Sequence, residues 1–125
     1  ATIRAGGGTI AVLGFGFDFI YPPSHKRLFK RLSREKTLFI SQFPPNTVAH
    51  PGNFPARNAV VAGLSLGVVV TEAGEKSGSH ITAQLALDEG RTVMAVPGPI
   101  DNPYSQGTKW LINQGAVMVA SGEDI

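Results

Sequence analysis

Three loops of this chain hold residues suited to binding an anion or a flat ring. One reads Glu72-Ala73-Gly74-Glu75-Lys76-Ser77-Gly78-Ser79. Ser79 is a residue of N-cap type, and backbone amides from Gly78 to Ile81 beside Lys76 would hold a phosphate at a helix start. The same residues would also make an ordinary capped helix. A second loop runs from Gln42 to Asn58, a length that in compact domains usually signals function. Within it Phe54 could stack on a nucleobase and Arg57 could pair with a phosphate or lie over a ring. The alternative is that Phe54 packs beneath the next helix while Arg57 and Asn58 brace the loop. The third loop runs from Pro97 to Lys109 and sets Lys109 beside the first-turn amides of a helix opened by Ser105 or Gly107.

Other chemistries lack their residues. Gly14-Phe15-Gly16-Phe17-Asp18-Phe19 is G-x-G-x-x-F, without the third glycine of a dinucleotide fingerprint, and Tyr21-Pro22-Pro23 delays the helix that should follow. Gly74-Glu75-Lys76-Ser77 resembles the end of a Walker A loop but has no upstream G-x-x-x-x-G. His25, His50 and His80 have no metal-binding spacing, no carboxylate cluster offers a metal site, and there is no G-x-S-x-G elbow. Glu72 at a strand end is a lone candidate base that could equally brace its turn. With no cysteine, thiol chemistry is excluded. No catalytic residue, metal or cofactor is expected.

The elements that must position these loops follow from the apolar pattern. Strands are predicted at Thr9–Leu13, Thr37–Ile40, Gly67–Thr71, Thr92–Val96 and Ala116–Ala120, alternating with helices near 24–35, 56–65, 79–89 and 107–114. Successive apolar residues such as Val68-Val69-Val70 fit a parallel sheet covered on both faces. The prediction is therefore one α/β domain in three layers with a mainly parallel sheet of about five strands and four helices. Its ligand loops then lie at the carboxyl ends of the strands. Ala1 to Ala5 before Gly6-Gly7-Gly8 reads as a helix tail, so the domain is expected to lack its N-terminal part. No apolar run is long enough to span a membrane, and a cytoplasmic protein is expected.

The net charge of +2 hides an uneven distribution. Residues 24–36 carry six basic side chains against Glu35 alone, while the rest of the chain has five basic and eight acidic residues. On a helix, Lys26, Arg27, Lys30, Arg31 and Arg34 fall on one face and Leu28, Phe29 and Leu32 on the other. Such a face is either a solvated surface or a contact for nucleic acid or an acidic partner.

Taken together, the loops resemble those of the bacterial DNA-processing DprA/Smf family. The matching stretches are Gly8 to Gly14 with Tyr21-Pro22, Pro51 to Asn58, Glu72-Ala73 with Ser77-Gly78-Ser79, Ala95 to Ile100, Gly107-Thr108, Leu111-Ile112 and Gly115-Ala116. They cover almost the whole chain in order. The resemblance implies a Rossmann-like domain that binds single-stranded DNA, loads the recombinase RecA during natural transformation, forms a homodimer and has no catalytic activity. It implies that Phe54 stacks on bases, that Arg57 and Asn58 belong to the signature loop, and that Lys76, Ser77, Gly78 and Ser79 form a phosphate cradle, to which Lys109 would add a charge from this chain's own sequence. The chain departs from the family at Ala59, where a second arginine is common, and at Lys109, where asparagine is frequent. A related Rossmann-like group of nucleoside-monophosphate phosphoribohydrolases is the alternative, but its P-G-G-x-G-T-x-x-E order is missing. A third reading makes the basic helix a partner-binding surface.

Overall fold

The structure is a computed structural model and describes residues 2–125. The chain divides after Arg57 into two compact units. Strands and helices alternate: β1 (Thr9–Leu13), α1 (Lys26–Leu32), β2 (Thr37–Ser41), α2 (Asn53–Leu64), β3 (Gly67–Val70), α3 (Ser79–Asp88), β4 (Thr92–Ala95), α4 (Gln106–Asn113) and β5 (Val117–Met118). Among the described residues the α/β class with five strands and four helices is as predicted, and every strand pairing is parallel.

In the first unit β1 and β2 pair from Thr9 opposite Thr37 to Leu13 opposite Ser41. Between them α1 presents Phe29, whose ring stacks on Phe39 of β2 at 5.5 Å and lies 6.2 Å from Phe15. The predicted apolar face of α1 is thus anchored through its aromatic residue, while Leu28 is left exposed. The helix is shorter than 24–35 at both ends. Pro23–His25 form a 3-10 turn. At the other end the Ser33 hydroxyl donates to Lys30 O, and Arg34 and Glu35 donate three residues back in a tightened turn. Thr2–Ala5 form a 3-10 turn that ends at Gly6 with φ 80°, in keeping with a helix tail stopped by glycine. The part of that expectation falling on Ala1 lies outside the described residues.

The exit of β1 is laced to the long loop after β2. Gly16 N–H donates to Thr47 O at 2.8 Å and Asp18 N–H to Pro45 O at 3.0 Å. A Cβ at Gly16 would collide with the carbonyl groups of Pro44 and Pro45, so the two loops can run this close only with glycine there. Ser41 Oγ donates to Phe15 O at 2.8 Å and closes the same corner.

In the second unit β4 lies between β3 and β5. Its core joins Ala62, Val70, Ala73, Ala83, Ala86, Val93, Ala95 and Leu111. Small alanine side chains let helix backbones approach closely, and α3 packs on β3 and β4 while α4 packs on β4. α2 begins at Asn53, before the predicted 56, because Pro55 falls in the first turn, where its missing N–H has no helical acceptor to lose. β5 keeps only two of the five predicted residues. No helix among the described residues is long and apolar enough to cross a membrane.

Candidate functional site

The predicted binding residues fall into two groups, one in each unit, apart from Asn58, which lies on α2 just past the division. In the first unit the opening turn of α2 carries Phe54 and Arg57. The Asn53 side chain donates to Val48 O at 3.3 Å and Asn53 N–H to His50 O at 2.9 Å, which fixes where the helix starts. Phe54 then lies against the end of β1. A Cβ on Gly14 would sit 3.0 Å from the Phe54 ring, so glycine leaves just the space that the ring fills. Tyr21 closes another side, with ring centroids 5.9 Å apart at 45°.

Arg57 reaches the same place from one helical turn later. Its Cζ lies 5.7 Å from the Phe54 ring centroid, within cation–π range. Its Nη1 donates to Val12 O at 2.8 Å. Burial lowers the pKa of the guanidinium from its ordinary value, yet an arginine remains charged at neutral pH. Both side chains are half-buried, as is Asn58. The structure therefore brings Phe54 and Arg57 together and gives each the packing or bracing work that the sequence offered as the alternative. That work holds an aromatic face and a cation at the carboxyl end of β1. Tyr21 is a member of this group that site reasoning missed. Its signal was an aromatic residue beside Pro22-Pro23, a stretch read for its delayed helix and its match to the family but not for a binding role.

The second unit holds the loop after β3. Here the expected row of open amides is largely closed. Ser79 N–H donates to Ser77 Oγ at 3.2 Å, His80 N–H to Ser77 O at 3.1 Å and Ile81 N–H to Gly78 O at 3.1 Å. Of the four amides expected to face a phosphate, Gly78 N–H alone has no acceptor among the described residues. The cap also shifts: α3 starts at Ser79 with Gly78 as its cap residue and no side-chain cap bond. Ser77 supplies the local turn that Ser79 was expected to supply as an N-cap, and the two hydroxyls lie 3.1 Å apart. Lys76 and Gly78 are exposed. What remains open to an anion is the Lys76 ammonium, the Gly78 amide and the serine hydroxyls.

Backbone bonds tie this loop to the start of α4, with Ala73 N–H donating to Tyr104 O and Gly107 N–H to Ala73 O, both at 2.8 Å. A Cβ on Gly107 would come within 2.6 Å of His80 Nε2 and 2.7 Å of Ala73 O. Lys109 is held at Ile100 O by its ammonium at 3.1 Å. It lines a cavity of about 740 Å³ with Glu75, His80, Gln106, Trp110 and Asn113. His80 and Trp110 meet edge to face at 5.2 Å. Their pairing had no signal in the sequence, since thirty residues separate them. Glu72 is exposed, and no group of three or more His, Cys, Asp or Glu side chains could hold a metal among the described residues.

A family model described as DNA recombination-mediator protein A matches residues 1–125. Protein Smf of Escherichia coli (strain K12) is 46% identical over 125 residues, all of this chain and 33% of that protein. DNA processing protein DprA of Bacillus subtilis (strain 168) is also 46% identical over 125 residues, covering 42% of its own length. The chain thus spans a third to under half of these relatives. The X-ray structure of DprA from Streptococcus pneumoniae superposes with a TM-score of 0.90 at 42% identity, over 98% of this chain and 43% of that one. A structure of DprA from Helicobacter pylori, described for its single-stranded DNA binding mode, superposes at 0.81 with 28% identity, over 90% of this chain and 51% of that one.

Proposed function

The chain belongs to the DNA recombination-mediator protein A family, and from that premise we propose that it binds single-stranded DNA as part of a protein that loads RecA in recombination and natural transformation, without catalysing a reaction. The observation that carries this reading is the Phe54–Arg57 pair at the end of β1. An aromatic face tolerates any base, and a guanidinium beside it meets the negative backbone. Asn58 follows in the same signature loop. Lys76, Ser77, Gly78 and Ser79 add a partial phosphate cradle, and Lys109 adds a second cation. The relatives are DNA-processing proteins by name, and the H. pylori structure concerns single-stranded DNA.

Stacking and phosphate contacts divide the work. Each stacked base is worth about 1–3 kcal/mol, with little regard to sequence. Each neutralised phosphate releases counterions, so affinity falls as salt rises. A homodimer and a cytoplasmic location belong to the same reading. The test is a titration of fluorescent oligo-dT with the protein at two salt concentrations. Salt-sensitive binding that weakens in Phe54→Ala and Arg57→Ala proteins supports it. Binding untouched by both substitutions in folded protein removes this site, and release of free base from a nucleoside monophosphate would favour the phosphoribohydrolase alternative.

A further inference from the structure

The first unit holds a second surface that the DNA reading leaves unused. Phe17, Phe19 and Ile20 follow one another in the loop after β1, and all three are exposed, Phe17 by 54%. With Phe29 they line a cavity of about 360 Å³ whose wall also includes Lys26 and Lys30 of α1. Large apolar side chains gathered in one exposed concavity are unfavourable in water and mark an interaction site. The neighbouring charge has one sign. Lys26 and Lys30 are the charged residues of the wall itself, and Glu35 is the single carboxylate within residues 24–36. Asp18 is the one acid between the two exposed phenylalanines.

The occupant follows from this combination. Lys26, Lys30 and Ser33 are the polar residues of a wall otherwise made of Leu13, Ile20 and four phenylalanines, so a nucleobase inserted edge-first, rather than stacked on an open face, would bury ring nitrogens and carbonyl groups short of partners, at a cost of about 1–3 kcal/mol for each left unpaired. A leucine or phenylalanine side chain would lose nothing. Carboxylates flanking such an anchor would meet Lys26 and Lys30, whose attraction speeds encounter and fixes orientation. We propose that the Phe17–Ile20 cavity and the basic face of α1 form a docking site for an acidic protein segment that inserts one large apolar side chain. This surface is distinct from the Phe54–Arg57 site, so either can fail without the other.

The test uses two labelled peptides followed by fluorescence polarisation, Asp-Glu-Asp-Glu-Leu-Phe and the charge-matched Asp-Glu-Asp-Glu-Ser-Ser. The apolar peptide should bind about tenfold tighter than its serine counterpart, the difference expected for one well-buried side chain. Lys26→Glu with Lys30→Glu should weaken it about tenfold or more, and Phe17→Ser by about fivefold, with circular dichroism unchanged. Phe54→Leu should leave peptide binding as it is, and Lys26→Glu with Lys30→Glu should leave the Phe54-dependent part of oligo-dT binding in place. Equal binding of the two peptides, displacement of the apolar peptide by oligo-dT, or indifference to both sets of substitutions would each overturn the proposal.

Discussion

The Arg57 guanidinium donates to the Val12 carbonyl oxygen at 2.8 Å, across 45 residues of sequence. One side chain thereby ties the first turns of α2 to β1 and, with its Cζ 5.7 Å from the Phe54 centroid, sets a cation beside the proposed stacking ring. Bracing and the proposed binding are not separable roles for this side chain. The same bond that restrains Arg57 also decides where its charge sits.

Replacing Arg57 should therefore cost both stability and affinity. Arg57→Ala leaves a partly buried carbonyl without its charged donor, worth about 1.5–3 kcal/mol. Arg57→Lys keeps the charge but loses the planar fork, so it should recover part of the oligo-dT affinity and less of the stability. Chemical denaturation and oligo-dT titration on the same samples check both.

Phe54→Leu and Phe54→Ala separate packing from stacking. Leucine refills most of the space against Gly14, whereas alanine leaves a void. Both remove the proposed base stack, so both should weaken oligo-dT binding by roughly 5- to 150-fold, the equivalent of 1–3 kcal/mol. Only the alanine protein should lose substantial stability. Equal affinity in Phe54→Leu and the parent would mean that the ring is purely structural.

The lysines should act through salt. Lys76 is exposed and Lys109 is fixed at Ile100 O. Lys76→Ala and Lys109→Ala should each reduce the slope of log affinity against log salt by about 0.7, one single-strand phosphate contact. Titrations at four salt concentrations give the slopes. A slope that does not change takes that lysine out of the interface.

Two glycines should respond in opposite directions to the same change. Gly107→Ala drives a Cβ into His80 Nε2 and Ala73 O and should destabilise by about 1–3 kcal/mol. Gly63→Ala, in α2 with nothing within 4 Å of the new Cβ, should stabilise by about 0.5 kcal/mol. Thermal unfolding of the two proteins checks the signs.

The C-terminal turn should loosen in acid. Asp124 accepts from Ala120 N–H at 2.7 Å and Ser121 N–H at 2.8 Å, and these bonds, with help from the Ser121 hydroxyl, lower its pKa. Because the folded value is depressed, its contribution is present at neutral pH and is lost as pH falls through the folded value, below the ordinary carboxylate range. Amide shifts of Ala120 and Ser121 followed by NMR should titrate there, and Asp124→Asn should abolish the transition.

The sequence by itself determined the family, the α/β class and the order of elements. Apolar runs of period near one, such as Val68 to Val70, and the β1 stretch Thr9–Leu13 depend on neighbours along the chain, and so do turns written in glycine and proline. It also singled out Phe54, Arg57, Lys76 and Lys109, because an aromatic or a cation in a strand-end loop is informative without knowing its partners. Tertiary structure decided what those residues touch. Arg57 on Val12 O, Phe54 on Gly14 and Tyr21, and His80 against Trp110 are contacts across tens of residues that no local pattern encodes. The amides after β3 show the converse: Ser77 Oγ accepts from Ser79 N–H, and the Ile81 and Thr82 amides that propensity gave to an N-cap Ser79 go to Gly78 O instead. A helix terminus satisfies its N–H groups with whichever acceptor the folded loop brings nearest, and that is known only once the loop has closed.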